Sequence, residues 1–346
     1  MPTISVSTYD GNERALDLKG QLPSSFISWD TQRVEVWLVE DGPDMHSLEI
    51  LYGSAKSYAL ISEATTANRT AAVFVHGFTG NAVSTWLRFQ TLIDELHDQF
   101  PGFAEWDLYF YDYGSMYGNI PVLANQVVSF LRSVYPSPSY MHLFKPDFIS
   151  GDKIVVRDEG LNLPVRYENL VLVGHSLGGV LLRQAILDIA AQRGYDNVDV
   201  FQMSQEDRDI LDATLRLFAP AIFGFDPTHL IGYFLNFACG VPPLRLALKP
   251  LLDSNPPYKD LELKSERLQD LRRRTELLAR QLPSARALRA EIVYGSEDHV
   301  VHIDRFDCDP VAEIARDQSH TSICKPTAEY QAPLRFVYGK VATTTA

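Results

Sequence analysis

The stretch Gly174-His175-Ser176-Leu177-Gly178-Gly179 fits G-x-S-x-G. It lies between an unbroken apolar run, Leu170-Val171-Leu172-Val173, and an apolar segment at helical spacing, Val180 to Ala191. This is the strand–turn–helix context in which the motif presents a nucleophilic serine. The spacing has a physical reason. A serine projecting from a very tight turn needs neighbours without side chains, so Gly174 and Gly178 let strand and helix cross closely. The helix starting after Ser176 aims its first N–H groups at the reacting carbonyl. The Leu177 N–H would thereby stabilise a developing oxyanion. The plainer alternative is a glycine-rich turn with a buried structural serine; the strand before it and the helix after it weigh against that.

A serine hydroxyl is a weak nucleophile at its free pKa and needs a base, itself oriented by an acid. On a turn of this kind the order along the chain is serine, acid, histidine. Four of the nine histidines follow Ser176: His229, His299, His302 and His320. His229 falls in an apolar insertion, and His299 and His302 flank a strand end beside the candidate acid. His320 stands in a late polar loop, Asp317-Gln318-Ser319-His320-Thr321-Ser322, and loops carry catalytic groups disproportionately. It is the expected base, against the plainer reading of an exposed loop histidine. The expected acid is Asp298, in Tyr294-Gly295-Ser296-Glu297-Asp298-His299. Glu297 is the local rival, because a one-residue error in the turn would swap them; Asp226 is the remote one. The plainer reading of Asp298 is an exposed turn acid. As a buried partner it would hold the imidazole tautomer that accepts the serine proton.

His76-Gly77-Phe78 closes an earlier apolar run, Ala71 to Val75, and opens a loop through Gly80. A loop after that strand supplies a second oxyanion donor, assigned here to the Phe78 N–H. His76 is expected to order the loop rather than to move protons. With Gly77, Gly174 and Gly178 it makes up the supporting set.

These groups need a scaffold. Arg33 to Leu38 alternates as a half-exposed strand, and Ser47–Tyr52 and Tyr58–Ser62 read as further strands. Ala71–Val75 and Leu170–Val173 read as buried strands, and Trp106–Tyr111, Leu215–Phe218 and Ala290–Tyr294 as further strands. Trp86–Phe100 and Ile120–Val134 carry helical spacing, the latter with Pro121 in its first turn. Lys153–Val156 and Pro164–Tyr167 suggest a small hairpin, and Leu334–Tyr338 a terminal strand. Alternating strands and helices imply a mostly parallel sheet with helices on both faces. The domain division that follows is an unassigned extension over 1–32, a core over 33–221 and 290–346, and a helical cap inserted at 222–289. Within that insertion 222–252 is apolar and aromatic, and Leu268, Leu271, Leu278 and Leu282 follow with Arg272-Arg273-Arg274 among them.

Of the 346 residues 46% are apolar and 22% charged, with a net charge of −13. This excludes a fibrous or wholly disordered chain and argues against a general affinity for nucleic acid, whose phosphates need clustered Lys and Arg. Cys239, Cys308 and Cys324 form no disulfide framework and no ligand-spaced pair. Met1 to Gly11 lacks the basic and apolar regions of a signal peptide, so a cytoplasmic protein is expected.

The sequence resembles the α/β-hydrolase superfamily over most of Val34 to Tyr338. Phe74-Val75-His76-Gly77-Phe78, Thr85-Trp86 and Asp107-Leu108-Tyr109-Phe110-Tyr111-Asp112-Tyr113-Gly114-Ser115 look like one branch of it. That branch holds lipase-like serine esterases akin to the GPI inositol-deacylase and serine-active-site-containing proteins. His320-Thr321-Ser322-Ile323-Cys324-Lys325 is similar to its late histidine, which an apolar residue and a lysine often follow. The resemblance implies the α/β-hydrolase fold with an eight-stranded, mostly parallel sheet. It also implies a Ser176–Asp298–His320 triad and ester hydrolysis with no cofactor and no metal.

The expected activity is that of a serine ester hydrolase, carboxylesterase- or lipase-like, working through an acyl-enzyme. The apolar insertion points to an acyl or lipid-like small-molecule substrate, although those residues could equally be the insertion's own packed core. Two alternatives use the same fold: a thioesterase or acyltransferase with the same triad, and a non-catalytic receptor or scaffold. Docking of Arg272–Arg274 on a membrane surface is the less favoured reading of that run, since a solvated helix face is commoner.

Overall fold

The structure, a computed structural model, describes residues 3–7, 13–17, 33–40, 57–62, 69–82, 84–86, 89, 100, 106–115, 118–137, 141–150, 153–157, 166–191, 204–225, 259–263 and 265–339. The expected strand at 47–52, most of the helix expected at 86–100, and residues 226–258 lie outside these.

Among the described residues twelve strands form one sheet. In chain order they are β1 (Thr3–Ser7), β2 (Glu13–Asp17), β3 (Arg33–Glu40), β4 (Tyr58–Ser62), β5 (Thr70–Val75), β6 (Trp106–Tyr111), β7 (Met141–Ser150), β8 (Lys153–Arg157), β9 (Asn169–His175), β10 (Thr214–Phe218), β11 (Ala290–Gly295) and β12 (Glu313–Ala315). The spatial order is β12-β11-β10-β9-β5-β6-β4-β3-β7-β8-β1-β2. From β12 to β6 every pairing is parallel. The parallel part thus has six strands where eight were expected in a mostly parallel sheet. The sheet continues antiparallel through β4, β3 and β7. The apolar runs of β5 and β9 are buried along their length, as strands covered on both faces must be.

Among the described residues five helices cover the sheet: α1 (Ile120–Val134), α2 (Leu177–Ala191), α3 (Gln205–Leu211), α4 (Glu266–Gln281) and α5 (Ala332–Tyr338). Asn119 caps α1 by accepting the Val122 N–H at 3.1 Å. The alternation of β10 shows that helices lie on both faces. Leu217 packs toward Gly179 of α2. On the opposite face Arg216 donates to the Phe336 and Val337 carbonyls at the end of α5, and Phe218 stacks edge-on with Phe336.

Two local expectations are corrected. Leu334–Tyr338 lies in helix α5 rather than a strand, because Leu334 and Val337, three apart, form its buried stripe and Pro333 opens it. Lys153–Arg157 is a strand, but its hairpin partner is β7 rather than 164–167. Pro146 made that partner look like a connection; the register shift between Pro146 and Phe148 accommodates the proline's missing donor. The first residues, which carry no clear period, supply β1 and β2 at the far edge.

Of the segment expected as a cap, the part from 259 onward is described. Helix α4 buries Leu268, Leu271 and Leu278 and packs on α2, in the place of a crossover helix between β10 and β11. The arginines of its Arg272–Arg274 run are paired: Arg272 with Glu276 at 2.8 Å, Arg273 with Asp270 at 2.6 Å and Arg274 with Asp270 at 3.6 Å. Among the described residues no helix is long and apolar enough to cross a membrane.

Candidate active site

Ser176 occupies the single turn residue between β9 and α2, with φ of +53°. An L-residue in this left-handed region is strained by about 1–2 kcal/mol, and here the sheet enforces it. Its N–H donates to the Phe218 carbonyl at 3.1 Å, and its carbonyl accepts from Gly179 at 3.1 Å and Ala221 at 3.3 Å. The glycines act as the motif requires. A Cβ on Gly174 would stand 2.8 Å from Gly179, and one on Gly178 2.2 Å from the Val75 oxygen. The other described non-glycine residues with positive φ are Thr79, Ala219 and Asp317. Each sits on a loop beside the serine, as strain gathered at a working site does.

His320 is buried, with Nε2 3.0 Å from Ser176 Oγ and Nδ1 2.9 Å from Asp298 Oδ2. With Nδ1–H donating to the carboxylate, Nε2 accepts the serine proton. Asp298 Oδ1 in turn accepts the N–H groups of Val300 at 2.9 Å and Val301 at 3.3 Å. Burial alone would raise the Asp298 pKa. The hydrogen bond and charge of His320, with those two backbone donors, outweigh it and hold the carboxyl below its ordinary value.

The acid turn and the histidine loop are stitched together by Glu297 N–H to Gln318 O at 3.0 Å and Ser296 N–H to Ala315 O at 2.8 Å. Gly295 permits this, since a Cβ there would lie 2.0 Å from the Gln318 oxygen. Glu297 itself is exposed. His299 and His302 are exposed, and Asp226 and His229 lie outside the described residues.

The loop after β5 passes directly over the serine: a Cβ on Gly77 would meet Ser176 Cβ at 2.8 Å. Phe78 and Thr79 form the turn that Gly80 N–H closes on Gly77 O at 3.1 Å. Leu177 is the first residue of α2, where the N–H has no partner within the helix. The structure thus puts Phe78 and Leu177 on the two backbone segments flanking Ser176.

His76 is fully buried and anchors the loop from beneath. Its Nδ1 meets Gly77 O at 2.8 Å, its Nε2 meets Asp112 Oδ1 at 2.8 Å, and its ring stacks on Tyr113 at 4.3 Å. Tyr113 Oη–H donates to His76 O at 2.8 Å, and Ser115 Oγ accepts the Thr79 N–H at 2.9 Å. Asp112, Tyr113 and Ser115, present in the sequence as one run after β6, carry a bracing role that residue types alone did not announce. His175 is the other unforeseen member. Its Nε2–H donates to the His320 carbonyl at 2.7 Å. Among the described residues no group of three His, Cys, Asp or Glu side chains could hold a metal ion.

A buried serine beside an imidazole, the imidazole beside an ionised carboxyl, and N–H donors on either flank form an arrangement able to carry acyl transfer. The fold is similar to that of carboxylesterase CesB from Bacillus subtilis (12% identity, 89% of this chain and 92% of that one, TM-score 0.42). It is similar also to the esterase Pf2001 of Pyrococcus furiosus (12% identity, 89% and 94%, TM-score 0.41). Against phospholipase PlaB from Legionella pneumophila (14% identity, TM-score 0.37) the match covers 66% of this chain but only 38% of the other. The sequence matches no curated protein. The model of the alpha/beta hydrolase family matches residues 72–324, which span the serine, the acid, the histidine and both flanking loops. The chain belongs to the alpha/beta hydrolase family.

Proposed function

We propose that the protein hydrolyses carboxylic esters through an acyl-enzyme on Ser176. The observation that carries this is the placement of His320, 3.0 Å from Ser176 Oγ on one ring nitrogen and 2.9 Å from Asp298 on the other. Ser176 Oγ attacks the ester carbonyl as its proton passes to His320 Nε2. The Phe78 and Leu177 N–H groups hold the oxyanion, and Asp298 stabilises the imidazolium. The alcohol leaves with the proton from Nε2. Water, deprotonated by the same nitrogen, then releases the acid and restores Ser176. His76 acts through the loop it anchors and takes no proton in the cycle.

The apolar and aromatic composition of 222–252 supports an acyl or lipid-like substrate, held by burial of its chain rather than by charge. Hydrolysis of short-chain p-nitrophenyl esters by the protein, Ser176→Ala and His320→Ala tests the reading. Activity in the unsubstituted chain that each change abolishes is expected. Activity that survives either change contradicts it.

A further inference from the structure

We propose that His175, the first of the two variable residues of the G-x-S-x-G motif, is a positioning residue that sets His320 against Ser176 through the bond from its Nε2–H to the His320 carbonyl. The inference rests on the hydrolase reading above. His175 is the last residue of β9 and immediately precedes the serine. Its ring is buried, 2.7 Å from that carbonyl and 4.9 Å centroid to centroid from the His320 ring. On its other side Nδ1 faces the oxyanion loop, 3.0 Å from where a Gly77 Cβ would stand. One imidazole therefore touches the elbow, the base loop and the oxyanion loop.

The tether has a clear task. His320 lies in a loop without regular secondary structure, 144 residues from Ser176. The hydrogen bonds that join that loop to Glu297 and Ser296 fix it to the acid turn. The His175 bond fixes it to the strand that ends at the nucleophile. A carbonyl only accepts, so Nε2 carries the hydrogen and the tautomer is settled.

Burial, then the repulsion of His320, pushes the His175 pKa down to about 3, against the smaller opposite pulls of the bond to His320 and of Asp298. Lys325, the remaining charged group facing it, acts in the same sense as burial. The ring is thus neutral while His320 gains its proton, and adds no charge that would oppose the imidazolium.

The test compares the full chain with His175→Leu, which removes the donor, and His175→Gln, which keeps an N–H at similar reach. Active sites are titrated with a fluorophosphonate probe, and kcat and KM on p-nitrophenyl butyrate are expressed per titrated site. For His175→Leu, kcat is expected to fall roughly 10- to 100-fold, as small displacements of a base do. KM should stay within about twofold. His175→Gln should recover most of the rate. An unchanged rate in His175→Leu overturns the proposal, as does a folded His175→Gln as slow as His175→Leu. Failure of the unsubstituted chain to label overturns the hydrolase reading, and this proposal with it.

Discussion

Gly178 lies against the Val75 carbonyl so closely that a Cβ on the glycine would stand 2.2 Å from the oxygen. That contact seats the first turn of the nucleophile helix on the end of the strand that carries the oxyanion loop. Neither partner can yield, because both are backbone. Gly178→Ala is expected to destabilise the fold by about 3 kcal/mol, the upper range for overpacking, read as a lowered denaturant midpoint. Gly77→Ala, whose added Cβ would meet Ser176 Cβ at 2.8 Å, should cost less stability and more activity. Ordinary stability in Gly178→Ala would mean the helix does not sit where this contact puts it.

The nucleophile helix is held at its far side by a buried ion pair. Arg183 of α2 pairs with Asp309, and the guanidinium lies 4.4 Å over the Phe306 ring. Asp309 also accepts the N–H groups of Ala290 at 2.8 Å and Phe306 at 3.1 Å, so it joins α2 to the start of β11. Asp309→Ala leaves a buried charge unpaired and is expected to cost about 3–5 kcal/mol. Asp309→Asn, which keeps acceptor capacity, should cost less. Equal denaturant midpoints for Asp309→Ala and the unsubstituted chain would contradict this.

Acid sensitivity has an assignable source. An unfolded histidine titrates near 6.5, whereas His175 in the fold is pushed down to about 3. Between those values the unfolded chain binds a proton that the folded chain does not, so stability falls as pH drops from about 6.5 toward 3. Asp298, with its pKa lowered, keeps its own contribution through most of that window and loses it only below its ordinary value of 3.8. The melting temperature of His175→Gln should therefore fall less steeply across the window than that of the unsubstituted chain. Parallel curves would contradict the assignment.

Much of this was legible because the informative residues obey local rules. Leu170–Val173 is a run long enough for a strand and too short for a helix, and the glycines after it have one geometric use. Asp298 and Glu297 were harder to separate, since both are turn carboxyls; what distinguishes them is the fold bringing Val300, Val301 and His320 around Asp298. Leu334–Tyr338 reads as a strand because the whole helix, the seven residues Ala332–Tyr338, carries less than two helical turns of pattern, and the deciding contact, from Arg216, is 120 residues away. The brace of Asp112, Tyr113 and Ser115 under His76 and Thr79 is likewise a tertiary fact. Nothing within that run points to the loop it supports.

Asp298→Asn separates orientation from nucleophilicity. The amide keeps the size of the acid but favours the wrong imidazole tautomer, and kcat is expected to drop by about 10⁴-fold. KM should hold and the fold should stay intact by circular dichroism. A fall of less than about tenfold would give the orienting role to another group.

The central claim is that Ser176 is an activated nucleophile. It is tested most directly by exposing the purified chain and Ser176→Ala to a fluorophosphonate probe side by side. The account predicts one phosphonylated serine in the unsubstituted chain, at Ser176, and none in the variant. Equal labelling of both, or labelling of neither, would contradict it.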